Sequence, residues 1–304
     1  MVRDMAIVPG AGAPIVARLF PGLGSRAIAA ITLVVFMAAA PVSAAETCGE
    51  AVAVETHDGT ITGYSLSAPT AISNDAPRVA VLLLVGGNGV LNLDAYGCVQ
   101  DLKGNSLVRM APFFRAAGIY TVLVDAPSDH RGADGLAGFR KSPAYAVDLG
   151  RIIADVRGRI GPLVWLVGTS RGTISAVNAA ARLAGTTAPD GIVLTSALML
   201  GRSGGRKPWV ADTVFDLPLE ELHMPLLVVG HVSDTCVRSP PSLMERIAER
   251  LASDRKQVVR VEGGPGWSGT GGAGDCIGRS PHGYNGLEAE AAAGIARFIR
   301  GERY

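Results

Sequence analysis

Beyond residue 50, short and almost uninterrupted apolar runs alternate with longer stretches that suit amphipathic helices. Two runs, 51–55 and 60–65, flank His57-Asp58-Gly59, a turn signal, and predict an opening β-hairpin. Further strand-like runs fall at 78–85, 119–125, 163–167, 192–196, 226–231 and 257–261, with helical patterns at 107–117, 143–159, 170–184, 241–252 and 287–299. Runs such as VAVLLLV and LVWLV are apolar at every position rather than at alternate ones. That is what strands show when helices cover both faces of a parallel sheet. The expected fold class is α/β, with about eight strands, an antiparallel hairpin leading a mostly parallel sheet, and helices on both faces. No boundary divides residues 46–304, which are expected to form one domain.

The first 45 residues have a different pattern. The run 27–40 (AIAAITLVVFMAAA) follows Arg18 and Arg26 and ends before Pro41-Val42-Ser43-Ala44-Ala45. Basic residues, a short apolar run and small residues in that order predict a secretory signal peptide cleaved after Ala44 or Ala45. The run is shorter than the roughly 20 residues a membrane span needs, so stable membrane insertion after processing is not expected. All four cysteines, Cys48, Cys98, Cys236 and Cys276, lie beyond the cleavage region, and an even number in an exported chain reads as disulfides. Ligand spacings such as CxxC are absent, which argues against a zinc site.

Charge narrows the partners. Three arginines and one aspartate in the first 45 residues leave 25 basic and 26 acidic side chains beyond them. A nucleic-acid binder would show a basic excess, and none is expected here. Aromatic residues make up only 5% of the chain, so stacking platforms for bases or sugars are not advertised either.

The chemistry concentrates in Gly168-Thr169-Ser170-Arg171-Gly172, a G-x-S-x-G between the run LVWLV and a helix-compatible stretch. Strand, sharp turn and helix is the context in which such a serine is thrust out as a nucleophile. A serine hydroxyl needs a base, and the base needs an acid to hold its tautomer. In chain order the acid candidate is Asp234, at the end of the run 226–231, over Asp212, Asp216 and Asp275. The base candidate is His282, in a loop before the last helix. His130, beside Asp129, is the best rival but precedes the serine, and His57, His223 and His231 read as surface or structural. The oxyanion formed during acyl transfer needs backbone donors. Arg171 should supply one, and the loop Gly86-Gly87-Asn88-Gly89 after VAVLLLV the other, through Gly87 or Asn88. That loop completes neither a dinucleotide nor a P-loop fingerprint, and no cofactor is expected. Of three possible disulfide pairings, Cys48 with Cys98 and Cys236 with Cys276 is preferred. The second bond would clamp the loops of Asp234 and His282, or simply staple the glycine-rich segment 263–278.

On these residues the sequence from about 51 to 299 resembles the α/β-hydrolase superfamily. The resemblance rests on the elbow around Ser170, Asp234 after a late strand, His282 before the last helix, and Gly86-Gly87-Asn88-Gly89 where many members carry HGGG. It implies a cofactor-free serine hydrolase acting on small-molecule esters through an acyl-enzyme. Thioester or peptide hydrolysis on the same triad, or a non-catalytic binding protein on the same fold, are the alternatives. Two departures stand out. Gly86 replaces the usual histidine, and Arg171 replaces a small or aliphatic residue, so that it could pair with Asp129 or with a substrate carboxylate. The stretch 200–214, with Trp209, leaves room for a short lid and no large cap.

Overall fold

A computed structural model describes residues 48–71, 77–161, 163–202 and 207–304. The expected signal peptide lies outside them, as do residues 203–206 of the expected lid. Eight strands form one sheet in the order β1-β2-β4-β3-β5-β6-β7-β8. They are β1 (Glu50–Glu55), β2 (Ile61–Ser67), β3 (Val79–Leu84), β4 (Tyr120–Pro127), β5 (Leu163–Thr169), β6 (Gly191–Thr195), β7 (Leu226–His231) and β8 (Lys256–Val261). β2 is antiparallel to both β1 and β4, while every pairing from β4 to β8 is parallel. The expected hairpin is present, its turn a single 3-10 turn at His57–Gly59.

The uniformly apolar strands follow from this layering. Along β3, Ala80, Leu82 and Leu84 enter one core, with Leu149, Ile152 and Val177 of the helices α2 (Pro143–Ile160) and α3 (Gly172–Arg182). Val79, Val81 and Leu83 enter the opposite core, with Leu107, Phe114 and Ile295 of α1 (Ser106–Ala116) and α5 (Glu288–Ile299). Successive side chains point to opposite faces, so a strand covered on both sides has no position left for a polar residue.

The helix expected at 241–252 is shorter. Pro241 opens a 3-10 turn at Pro241–Leu243, and α4 proper spans Met244–Glu249. Proline suits a first turn, because it has no N–H to leave unpaired. The helix expected from residue 170 begins instead at Gly172, for a reason that belongs to the site.

Candidate active site

β5 runs into Ser170, whose φ of 51° lies in the left-handed region that costs a non-glycine residue about 1–2 kcal/mol. A residue in that conformation cannot continue a helix, so α3 starts after it. The turn is held by Ser170 N–H donating to Thr195 O (3.0 Å), and by Thr173 N–H (3.0 Å) and Thr173 Oγ1 (2.5 Å) donating to Ser170 O. Its glycines are steric requirements. A Cβ at Gly172 would sit 1.9 Å from Leu84 O, and one at Gly168 2.5 Å from Gly172 O. A Cβ at Gly86 would lie 3.0 Å from Ser170 Cβ, so the glycine lets the 86–89 loop press against the serine.

Asp234 and His282 meet across two loops. His282 Nδ1 is 2.9 Å from Asp234 Oδ2, and both residues are buried. Asp234 Oδ1 accepts from Cys236 N–H at 2.8 Å, which fixes the carboxylate's orientation. The His282 turn is pinned by Ser196 Oγ donating to His282 O (2.7 Å). Beside it, Tyr284 O–H donates to Val229 O (2.7 Å) and accepts from Ser196 N–H (3.0 Å). Disulfides join Cys236 to Cys276 and Cys48 to Cys98. The first crosses between the Asp234 loop and the glycine-rich segment that leads to His282.

His282 Nε2 is buried without a hydrogen-bond partner among the described residues. It is not bonded to Ser170, but both residues line one small cavity of about 50 Å³. Such bonds often tighten only once substrate is bound. A larger cavity of about 670 Å³ shares Ser170, Gly87 and Cys276 with the small one and is also lined by Asn88 and Arg171. All three oxyanion candidates therefore border the space in front of the serine.

The other candidates lie elsewhere. His57 and His130 both bind Asp129, and His130 stacks on Phe139 with centroids 3.9 Å apart. His231 spends both ring nitrogens on backbone groups of Ser233 and Gly263, and His223 is exposed. Asp212 pairs with Lys141, Asp216 caps a turn through Thr213 N–H, and Asp275 accepts from Gly271 N–H. The Arg171–Asp129 pair, one of two options that the sequence leaves open, is absent among the described residues, where Asp129 is bound by the two histidines. The Arg171 guanidinium instead lies 4.1 Å from the centre of the Trp209 ring.

Two residues that the sequence did not single out shape the loop after β3. Arg140 is buried and donates to Val85 O (3.0 Å), Gly87 O (3.5 Å) and Ser175 Oγ (2.9 Å). Burial pushes its pKa down to about 10, which leaves it a cation at neutral pH. Asp125, fully buried, accepts from the N–H groups of Leu91 (2.7 Å), Asn92 (3.2 Å) and Leu93 (3.1 Å). One cation thus gathers carbonyls at the start of the loop, and one carboxylate gathers amides at its end. Gly89 has a φ of 82°, and a Cβ there would lie 2.6 Å from the Arg140 guanidinium, which accounts for a glycine at this position. No local sequence signal marks Arg140, since its partners are remote backbone carbonyls. Asp125 closes a strand-like run, a weak hint at most.

No protein-family model and no curated protein matches the sequence. Solved structures do resemble it. The esterase Est2 of the Planctomycetes species Thermogutta terrifontis aligns with a TM-score of 0.54 at 17% identity, over 83% of this chain and 92% of its own. Est1E from Butyrivibrio proteoclasticus gives 0.54 at 14% identity, over 83% and 98%. An alpha-beta serine hydrolase homologue from Coxiella burnetii gives 0.53 at 13% identity, over 84% and 99%. Sheet order, the single antiparallel strand and these alignments agree: the chain has the α/β-hydrolase fold.

Proposed function

We propose that this protein is an exported serine hydrolase that cleaves carboxylic esters through an acyl-enzyme. The observation that carries the reading is the buried Asp234–His282 pair, whose unpartnered Nε2 shares a cavity with a serine on a strained elbow. Ser170 Oγ attacks the ester carbonyl while His282 Nε2 takes its proton, and Asp234 holds the Nδ1–H tautomer and stabilises the imidazolium. The tetrahedral oxyanion is met by the N–H of Arg171 and by that of Gly87 or Asn88, each donor contributing about 3–4 kcal/mol. Collapse expels the alcohol, which takes the proton from His282. Water then repeats the sequence on the acyl-enzyme, with no cofactor.

The esterase names of the fold neighbours support this chemistry over other α/β-hydrolase reactions. The two disulfides support export, and no helix among the described residues is long and apolar enough to cross a membrane. The test is intact-mass analysis before and after a fluorophosphonate probe, with peptide mapping. A single adduct on Ser170 that is lost in His282→Ala is expected. No adduct on a folded protein with both disulfides intact would overturn the reading.

A further inference from the structure

The large cavity in front of Ser170 has an unusual charge. Arg171, Arg202 and Arg238 line it, and no acidic side chain among the described residues does. The acids closest to acting on Arg171 are Asp134 and Asp212, and each is already bound by a lysine, Lys207 and Lys141 respectively. Arg238 spends Nε on Leu200 O (2.5 Å) and Nη2 on Val210 O, which fixes it in the wall without neutralising it. Arg171 is half-buried, follows the nucleophile directly, and has its face on Trp209. Stacking of this kind orients a guanidinium while leaving its in-plane N–H groups for another partner. Neither Arg171 nor Arg202 has an ion pair within the described structure. Burial and the proximity of Arg238 lower the pKa of Arg171 against the opposing pull of Asp134 and Asp212, and burial and Arg202 lower that of Arg238, as like charges held near one another do.

A cleft of about 670 Å³ is of a size that takes a small molecule, and its walls also offer apolar contact through Leu198, Val210 and Val237. Guanidinium groups that make no ion pair and line the cavity of the serine favour a ligand that brings its own negative charge, because a carboxylate pairs with arginine in a planar fork. We propose that the preferred substrates are esters carrying a free carboxylate a few bonds from the scissile carbonyl, bound by Arg171 with Arg238 and Arg202 behind it. This rests on the esterase reading above and adds its substrate class.

The experiment compares kcat/KM for charged and neutral members of two pairs. Monoethyl and diethyl succinate place the charge on the acyl side, while acetoxyacetate and acetoxyacetamide place it on the alcohol side. The charged member should be preferred by about tenfold or more in at least one pair, the worth of one charge-assisted hydrogen bond. Arg171→Gln, which keeps the backbone N–H, should reduce that ratio towards one. Arg202→Gln, at the exposed mouth, should reduce it partly, and serves should the first variant fail to fold. Equal turnover of charged and neutral esters in both pairs would overturn the substrate class and leave the esterase reading standing. If no ester is turned over, calorimetric titration of Ser170→Ala with monoethyl succinate, diethyl succinate, acetoxyacetate and acetoxyacetamide decides the matter. Tighter binding of a charged ligand than of its neutral partner upholds the anion site, and equal binding within both pairs refutes it.

Discussion

Two of the histidine–aspartate pairs among the described residues, His57 with Asp148 and His282 with Asp234, differ in what the second ring nitrogen does. In one, His57 Nδ1 lies 2.6 Å from the fully buried Asp148, and Nε2 is occupied by Asp129 at 3.0 Å. In the other, His282 Nδ1 lies 2.9 Å from Asp234, Nε2 has no partner among the described residues, and the histidine lines a small cavity with Ser170. A carboxylate behind an imidazole is thus no signature of catalysis by itself. The first pair is saturated and joins the β1–β2 turn to α2 and to the end of β4. The second keeps a basic nitrogen uncommitted at the cost of burying an unpaired acceptor, which costs about 1–3 kcal/mol and is rare in structural roles.

The sharpest way to break this contrast is to remove each imidazole. His282→Ala should lower kcat for any accepted ester by about a million-fold, with an unchanged circular dichroism spectrum. Asp234→Asn should follow at about ten-thousand-fold, because the amide favours the wrong tautomer. Asp148→Asn, the matching change in the other pair, should leave kcat within a few-fold, and a large loss there would refute the distinction. Replacing Cys236 and Cys276 together by serine should cost about 2–4 kcal/mol in urea unfolding, since the bond closes a long loop. It should also lower kcat, because that bond braces the loops that bring His282 to Asp234.

The smallest effect concerns pH. Burial works against a charge on His57, but the hydrogen bonds and charges of Asp129 and Asp148 outweigh it and raise its pKa above the ordinary 6.5. The stability this imidazolium contributes is therefore complete below about pH 6.5 and is lost as pH rises through the raised value. Melting temperatures of the wild type and His57→Gln should differ most in mild acid and converge as the solution becomes alkaline. A difference that grows with pH would mean that His57 is neutral in the folded protein.

Much of this fold can be read in the sequence, because double coverage of a parallel sheet leaves a plain mark: runs with no polar residue, such as 79–84. The elbow is equally legible, since Gly168 and Gly172 are dictated by contacts with near neighbours in the chain or the adjoining strand. What stays hidden depends on contacts between distant segments. Arg140 looks like any surface arginine near a helix start, and only the folded chain brings Val85 O and Gly87 O to it. The stacking of Arg171 on Trp209 is equally hidden, because the two residues lie 38 positions apart in the chain. The helical pattern begins two residues before α3 does, because such a pattern carries no sign that Ser170 takes up a left-handed backbone.

Each disulfide joins cysteines that are consecutive along the chain, the first to the second and the third to the fourth. A polypeptide delivered N-terminus first into an oxidising space would present Cys98 while Cys48 was the only thiol awaiting a partner, and Cys276 while only Cys236 was. Oxidation in order of arrival would therefore yield the native bonds directly, and a thiol-shuffling catalyst would have nothing to correct.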